Sequence, residues 1–142
     1  MEFIKGMDIS MVKELEYYGA SYRLNGKEED LFHLLHECGT NMVRIRIWPD
    51  PYDEKGNSYG GGGNDLQTTI EIARRTVECG MDFMLDFHYS DFWADPAKQV
   101  KPKAWKELSG QALETAVYLQ TLDTLKTLKN QKLVPAMVQV GN

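Results

Sequence analysis

Leu35-His36-Glu37-Cys38-Gly39-Thr40-Asn41-Met42-Val43-Arg44-Ile45-Arg46-Ile47-Trp48 decides the fold, because its plan returns at Thr76-Val77-Glu78-Cys79-Gly80-Met81-Asp82-Phe83-Met84-Leu85-Asp86-Phe87-His88-Tyr89. Each copy is a helix end, a glycine stop and a short apolar-rich strand. Glycine just past a helix is the usual left-handed cap. The copies are separated by one βα unit with a long loop. Alternation along the strands separates two kinds of face. Val43, Ile45, Ile47, Phe83, Leu85 and Phe87 fall on an apolar face that must pack on helices. Arg44, Arg46, Trp48, Met84, Asp86 and His88 fall on the other. An open doubly wound sheet covers both faces with helices and wants both apolar. A face this charged predicts the inside of a barrel, where polar groups gather toward the catalytic end.

The remaining segments extend this plan. Phe3 to Asp8 is predicted as a first strand, with Ile4, Gly6, Asp8 and Ser10 in one parity. Helices are predicted over Glu28–Cys38, Asp65–Cys79 and Ser109–Asn130, and a fourth strand over Leu133–Val140. Leu31, Leu34, Leu35 and Cys38 supply the first helix's apolar positions. Asn64 or Asp65 caps the second. Leu113, Val117, Leu119, Leu122, Leu125 and Leu128 form the third helix's buried stripe. Alternating helices and strands argue a parallel sheet with crossover helices. The expected fold is α/β: residues 1–142 as a single partial domain, the N-terminal half (about four βα units) of a (β/α)8 TIM barrel. A whole barrel needs roughly 250 residues, and this chain has 142.

Composition excludes several function classes. The chain is 42% hydrophobic and 26% charged with a net charge of −5, which fits a folded domain and argues against nucleic acid as the partner. The densest basic group is Lys98, Lys101, Lys103 and Lys106. No apolar run is long enough for a membrane span, and Met1 to Asp8 lacks a signal core. Cys38 and Cys79 are too few for a disulfide framework and are expected as buried small hydrophobes. His33 and His36 lack a metal-spaced partner and are expected as surface or packing residues; no metal or cofactor is expected. The run Gly60-Gly61-Gly62-Gly63 lacks the spacing of a phosphate loop and is expected to be a flexible or tightly turning loop. The same lack of a phosphate motif weakens a flavodoxin-like alternative.

In a barrel the strand C-termini form the active site. They hold Asp8, Arg46, Trp48, His88, Tyr89, Ser90, Asp91, Trp93, Gly141 and Asn142. Aromatic rings stack on the C–H faces of sugars, and charged groups and amides bind the hydroxyls, so the set predicts a sugar site. Arg44 and Asp86, deeper in their strands, are expected as a structural ion pair. Trp105 either anchors a loop or contacts ligand.

Gly6-Met7-Asp8-Ile9-Ser10, Val43 to Tyr52, Asp86-Phe87-His88-Tyr89-Ser90-Asp91-Phe92-Trp93-Ala94-Asp95-Pro96, Lys101-Pro102-Lys103-Ala104-Trp105 and Met137-Val138-Gln139-Val140-Gly141-Asn142 together resemble the endo-β-1,4-galactanases of glycoside hydrolase family 53. The resemblance implies a (β/α)8 barrel that cleaves β-1,4-galactan or type I arabinogalactan with retention, in an extracellular or cell-surface setting. It implies an acid/base glutamate directly after Asn142 and a nucleophile in the family's second half. Neither catalytic glutamate is therefore expected among these residues, and the chain alone is expected to be inactive. By resemblance, Asn142 hydrogen-bonds the sugar 2-hydroxyl, Arg46 or else Arg44 holds the nucleophile ionised, and His88 flanks the same subsite. Asp8, Trp48, Tyr89, Ser90, Asp91 and Trp93 are implied to contact substrate. An alternative expectation is a half-barrel module that pairs with another chain, such as its own copy, through open strand edges.

Overall fold

The two echoing segments become adjacent parallel strands in the computed structural model, which describes residues 3–142; Met1 and Glu2, the start of the N-terminal stretch, lie outside the described residues. The elements in chain order are β1 (Gly6–Asp8), α1 (Val12–Tyr17), β2 (Tyr22–Leu24), β3 (Lys27–Glu29), α2 (Leu31–Glu37), β4 (Met42–Ile47), α3 (Leu66–Glu78), β5 (Asp82–Phe87), α4 (Gly110–Asn130) and β6 (Met137–Val140). The main sheet has the order β1-β4-β5-β6, with every neighbouring pair parallel. Strands laid down one after another, never reversing, give the singly wound course of a barrel wall.

The predicted parity holds along both central strands. Val43, Ile45, Ile47, Phe83, Leu85 and Phe87 are fully buried together with Phe32 of α2, Ile70, Ile72 and Ala73 of α3, and Leu128 of α4. The helices thus cover the apolar face, and the hydrophobic effect fixes which face that is: a one-residue slip would place Arg44, Arg46 and Asp86 in this core.

Several boundaries differ from expectation. β1 begins at Gly6 rather than Phe3. Ahead of it, Lys5 donates its N–H to the Asn41 side chain and accepts from the Asn41 N–H, a side-chain-assisted start to the ladder. β6 begins at Met137 rather than Leu133, because Leu133 closes α4 by donating to the Leu128 carbonyl and Pro135 has no N–H to offer. The helix expected from Glu28 starts at Leu31. Glu28 and Glu29 belong to the β2–β3 hairpin, which turns on Asn25 (φ 52°) and Gly26 (φ 82°), the left-handed pair of a type I′ turn. Asp30 is the true cap, accepting from the Phe32 and His33 N–H groups. Asp65 caps α3 by accepting from Thr68, at 2.8 Å.

Two burial expectations fail. Cys38 is exposed and Cys79 only half-buried. Each is a C-cap residue at the end of its helix; Cys38 stands in solvent, while Cys79 still packs partly against the core. On α4 only Thr124 and Leu128 are buried, and Leu119 lies exposed, because the sheet meets one short arc of this helix.

Candidate active-site face

The face of the sheet opposite the helices is built around Arg44. Register places Asp8 beside Arg44 across β1–β4. It places Asp86 beside Arg46 across β4–β5. The Arg44 guanidinium donates to Asp8 Oδ2 at 2.7 Å and to Asp86 Oδ2 at 2.5 Å. The same Nη2 lies 3.3 Å from Asn142 Oδ1. The expected Arg44–Asp86 pair is therefore present, with Asp86 fully buried and Arg44 partly open. One planar guanidinium serves three strands, which its fork of donors allows and a lysine's point charge would not. Asn142 is fixed from its other end, since its amide donates to the Ala94 carbonyl at 2.6 Å.

Asp8 takes a second set of donors from Ser10, whose N–H and hydroxyl reach Oδ1 at 3.0 and 2.7 Å. Burial pushes the Asp8 carboxyl up, but the Ser10 hydrogen bonds and the Arg46 and Arg44 charges outweigh it, leaving the group below its ordinary value. Ser10 in turn accepts from the Arg46 N–H at 2.9 Å. Its fully buried hydroxyl thus locks β1 to β4. Ser10 was visible in the sequence only as a parity-mate of Asp8, and its positioning role comes from the register.

Arg46 is buried one layer nearer the mouth. Its guanidinium lies 3.6 Å from Asp8, donates to the Gly61 carbonyl at 3.3 Å and sits 4.0 Å from the centre of the Trp93 ring. Burial pulls its pKa below the ordinary value, against the Asp8 charge, which raises it. Arginine stays protonated under such shifts.

His88 is fully buried. Nδ1 accepts from the Ala94 N–H at 3.2 Å, so Nε2 carries the hydrogen and donates to Asp86 Oδ2 at 3.0 Å. The neutral ring links the strand to the loop that carries Trp93.

The aromatic residues divide into floor and rim. Trp48 is fully enclosed by His88, Phe92 and Trp93, with ring centroids 6.0, 5.3 and 5.9 Å away. Trp93 is 37% exposed and is the aromatic surface open to a ligand here. Tyr89 turns toward α4: it stacks on Phe87 and its hydroxyl meets Thr121 at 2.7 Å. Ser90 is buried. Asp91 accepts from the Asp50 and Lys103 N–H groups at 3.0 and 2.8 Å, stapling two loops together. Trp105 lies half-buried in the 3-10 turn Lys103–Trp105.

The glycine run is a packed roof. All four residues have positive φ. A Cβ on Gly61 would stand 3.0 Å from Trp93 Nε1, and one on Gly62 2.6 Å from Asn64 Oδ1 and 2.7 Å from the Ser10 carbonyl. Asn64, fully buried, donates to that same carbonyl. The tightly turning alternative is the observed one.

The matches with known proteins concern this same face and sheet. The family model for glycosyl hydrolase family 53 matches residues 4–142. An endo-β-1,4-galactanase of Bacillus subtilis (strain 168) is 51% identical over 99% of this chain and 33% of its own length. An arabinogalactan endo-β-1,4-galactanase of Cellvibrio japonicus is 42% identical over 99% of this chain and 36% of its own. The Ignisphaera aggregans GH53 catalytic domain superposes with a TM-score of 0.94 at 46% identity, covering 99% of this chain and 39% of that one. The chain thus spans about a third of the curated relatives it matches, and it superposes on part of a GH53 catalytic domain. With its matched residues running through every strand of that sheet, the chain belongs to glycosyl hydrolase family 53.

Proposed function

We propose that this chain supplies the first four strands of a retaining endo-β-1,4-galactanase, and that its polar face holds galactan in place for two glutamates contributed from outside residues 1–142. The observation that carries this is Arg44, which gathers Asp8, Asp86 and Asn142 at the strand ends. Retaining hydrolysis uses two carboxyl groups roughly 5–5.5 Å apart, one of them protonated to act as acid. Asp8 and Asp86 share the Arg44 guanidinium, and Asp8 is held below its ordinary pKa. That arrangement suits orientation and not proton donation. In this reading Asn142 bonds the sugar 2-hydroxyl, a contact that strengthens as the oxocarbenium-like transition state forms. Arg46 or Arg44 keeps the nucleophile ionised. Trp93 stacks on a galactose ring, and Trp48 supports Trp93 from beneath. Asp8, Tyr89, Ser90 and Asp91 shape the groove, the last three through the loop after β5. The setting would be extracellular, where such a polysaccharide lies. No helix among the described residues is long and apolar enough to cross a membrane.

The test is reducing-end release from β-1,4-galactan. Residues 1–142 alone should give none. The same residues followed by a glutamate and the family's remaining strands should cleave it, and Asn142→Ala should lower kcat/KM by about a hundredfold or more on the scale of lost transition-state contacts. Cleavage by residues 1–142 alone would overturn the division of labour.

A second reading has its own support. Among the described residues β1 and β6 each pair on one side only, and β6 exposes Met137, Val138 and Val140. Such edges favour pairing with another chain. Sedimentation that stays monomeric across rising concentration would dismiss self-association.

A further inference from the structure

A cavity opens beside Trp93. It has a volume of about 380 Å³ and is lined by Ser90, Asp91, Phe92, Trp93 and Val100 together with Lys98, Lys101, Lys103 and Lys106; the Asp91 carboxylate in this lining is taken up by the Asp50 and Lys103 N–H groups. From Lys98 to Lys106 the sequence carries four lysines and no acid, although the chain as a whole is acidic at −5. All four lysines are exposed. Lys103 is spoken for: it pairs with Asp50 at 2.8 Å and bonds the Asp50 and Tyr52 carbonyls. Lys101 rests its ammonium on the Leu108 carbonyl at 2.7 Å. Lys98 stands 5.9 Å from the centre of the Phe92 ring. Among the described residues, Lys98, Lys101 and Lys106 have no carboxylate within ion-pair distance.

An aromatic floor edged by three lysines without an ion-pair partner, Lys98, Lys101 and Lys106, suits a ligand with an apolar C–H face and a negative charge at its edge. The volume falls within the roughly 300–1,000 Å³ of small-molecule sites. We propose that this cavity binds a carboxylated sugar, a uronate residue, beside the neutral-sugar face. The choice of a saccharide rests on the galactanase reading above, because Trp93 forms a wall of both spaces. Lys98 and Lys106 supply the charge recognition, Phe92 and Trp93 the stacking surface, and Lys101 and Lys103 mainly hold the loop.

The test titrates the full chain with a galacturonate trisaccharide, a neutral β-1,4-galactotriose and sodium sulfate, following tryptophan fluorescence at low and high salt. The trisaccharide uronate should bind with an affinity that falls as salt rises, as exposed charge pairs are screened. The variant Lys98→Glu/Lys106→Glu should weaken it by about tenfold, on the scale of two exposed ion pairs lost, and leave galactotriose binding unchanged. Lys98→Gln/Lys106→Gln, the gentler pair, should weaken it less. Equal binding of the neutral and acidic sugars, no response to either lysine pair, or sulfate binding as tight as the uronate would overturn the proposal. Failure of galactotriose alone would instead count against the galactanase reading and leave the uronate site standing.

Discussion

Asp86 is fully buried with two cationic or polar partners, Arg44 and His88, both on the same oxygen; its Oδ1 has no protein partner. A buried carboxylate so placed depends on the guanidinium for its charge balance. Arg44→Lys keeps a charge but cannot reach Asp8, Asp86 and Asn142 at once. We expect it to cost about 1–3 kcal/mol in denaturant unfolding, less than a wholly buried pair would cost because Arg44 is partly open to water. An unchanged midpoint would mean that the three-way Arg44 network adds nothing to the stability of the fold. Tyr52 offers a second test at this scale. Burial, and then its hydrogen bond to Asp65 at 2.9 Å, push the phenol up to about 12. A raised folded pKa contributes stability that is whole below the ordinary value near 10 and is lost as pH climbs toward about 12. Tyr52→Phe should therefore flatten the alkaline limb of the stability–pH curve over that window. An alkaline limb identical in the two proteins would refute the assignment.

Among the elements, the central strands were legible because their two faces differ in kind. Aliphatic and aromatic residues alternate with Arg, Asp and His, and only one register keeps those charges out of the core. The ion pair of Arg44 with Asp86 followed from the same parity. The β2–β3 hairpin was equally written in Asn25-Gly26, but Glu28-Glu29 are good helix formers and merged with the helix that follows. The burial of Trp48 and the turn of Tyr89 toward α4 were not readable, because each depends on where a long loop folds back. So does the glycine roof. Composition alone could not say that Gly61 and Gly62 touch Trp93, Asn64 and Ser10. Gly62→Ala should cost about 2 kcal/mol or more, combining left-handed strain at φ 110° with a Cβ placed against backbone. Tryptophan emission should shift with it, since Trp93 and Trp48 lie under the same roof. Gly56→Ala, at a φ of 80° with open space around its Cβ, separates the two causes: it should show the strain and not the emission shift. Equal emission changes in both variants would rule out the packed roof.

At the scale of the molecule, two charge hubs hold layers together on opposite sides of the sheet. Arg44 joins three strands on the polar face. Arg75 joins three segments of the helical layer: its two terminal nitrogens grip Glu16 of α1 at 2.8 and 2.7 Å, and Nη2 also reaches Asp30, the cap of α2, at 2.5 Å. Its guanidinium lies 4.1 Å from the centre of the Phe32 ring. Hydrogen bonds to Glu16 raise the Arg75 pKa. Each hub holds one carboxyl down, Asp8 beside Arg44 and Asp30 beside Arg75. In Asp8 and in Asp30 burial raises the carboxyl, and hydrogen bonds and arginine charges more than offset it. A depressed carboxyl contributes stability that is whole above its ordinary value and disappears as pH falls through the folded one. Stability should then hold level at neutral pH and drop below about pH 4, the ordinary aspartate range. Arg75→Met keeps the stem packed on Phe32 while removing the charge. It should lower stability by about 1–2 kcal/mol at neutral pH, for a network roughly a third exposed, and by progressively less as pH falls and Asp30 takes up its proton. The acid-limb difference between wild type and Arg75→Met is the quantity to measure. A constant gap from pH 7 to pH 2 would mean that Arg75 acts through packing alone, and that the helical layer is not tied by charge.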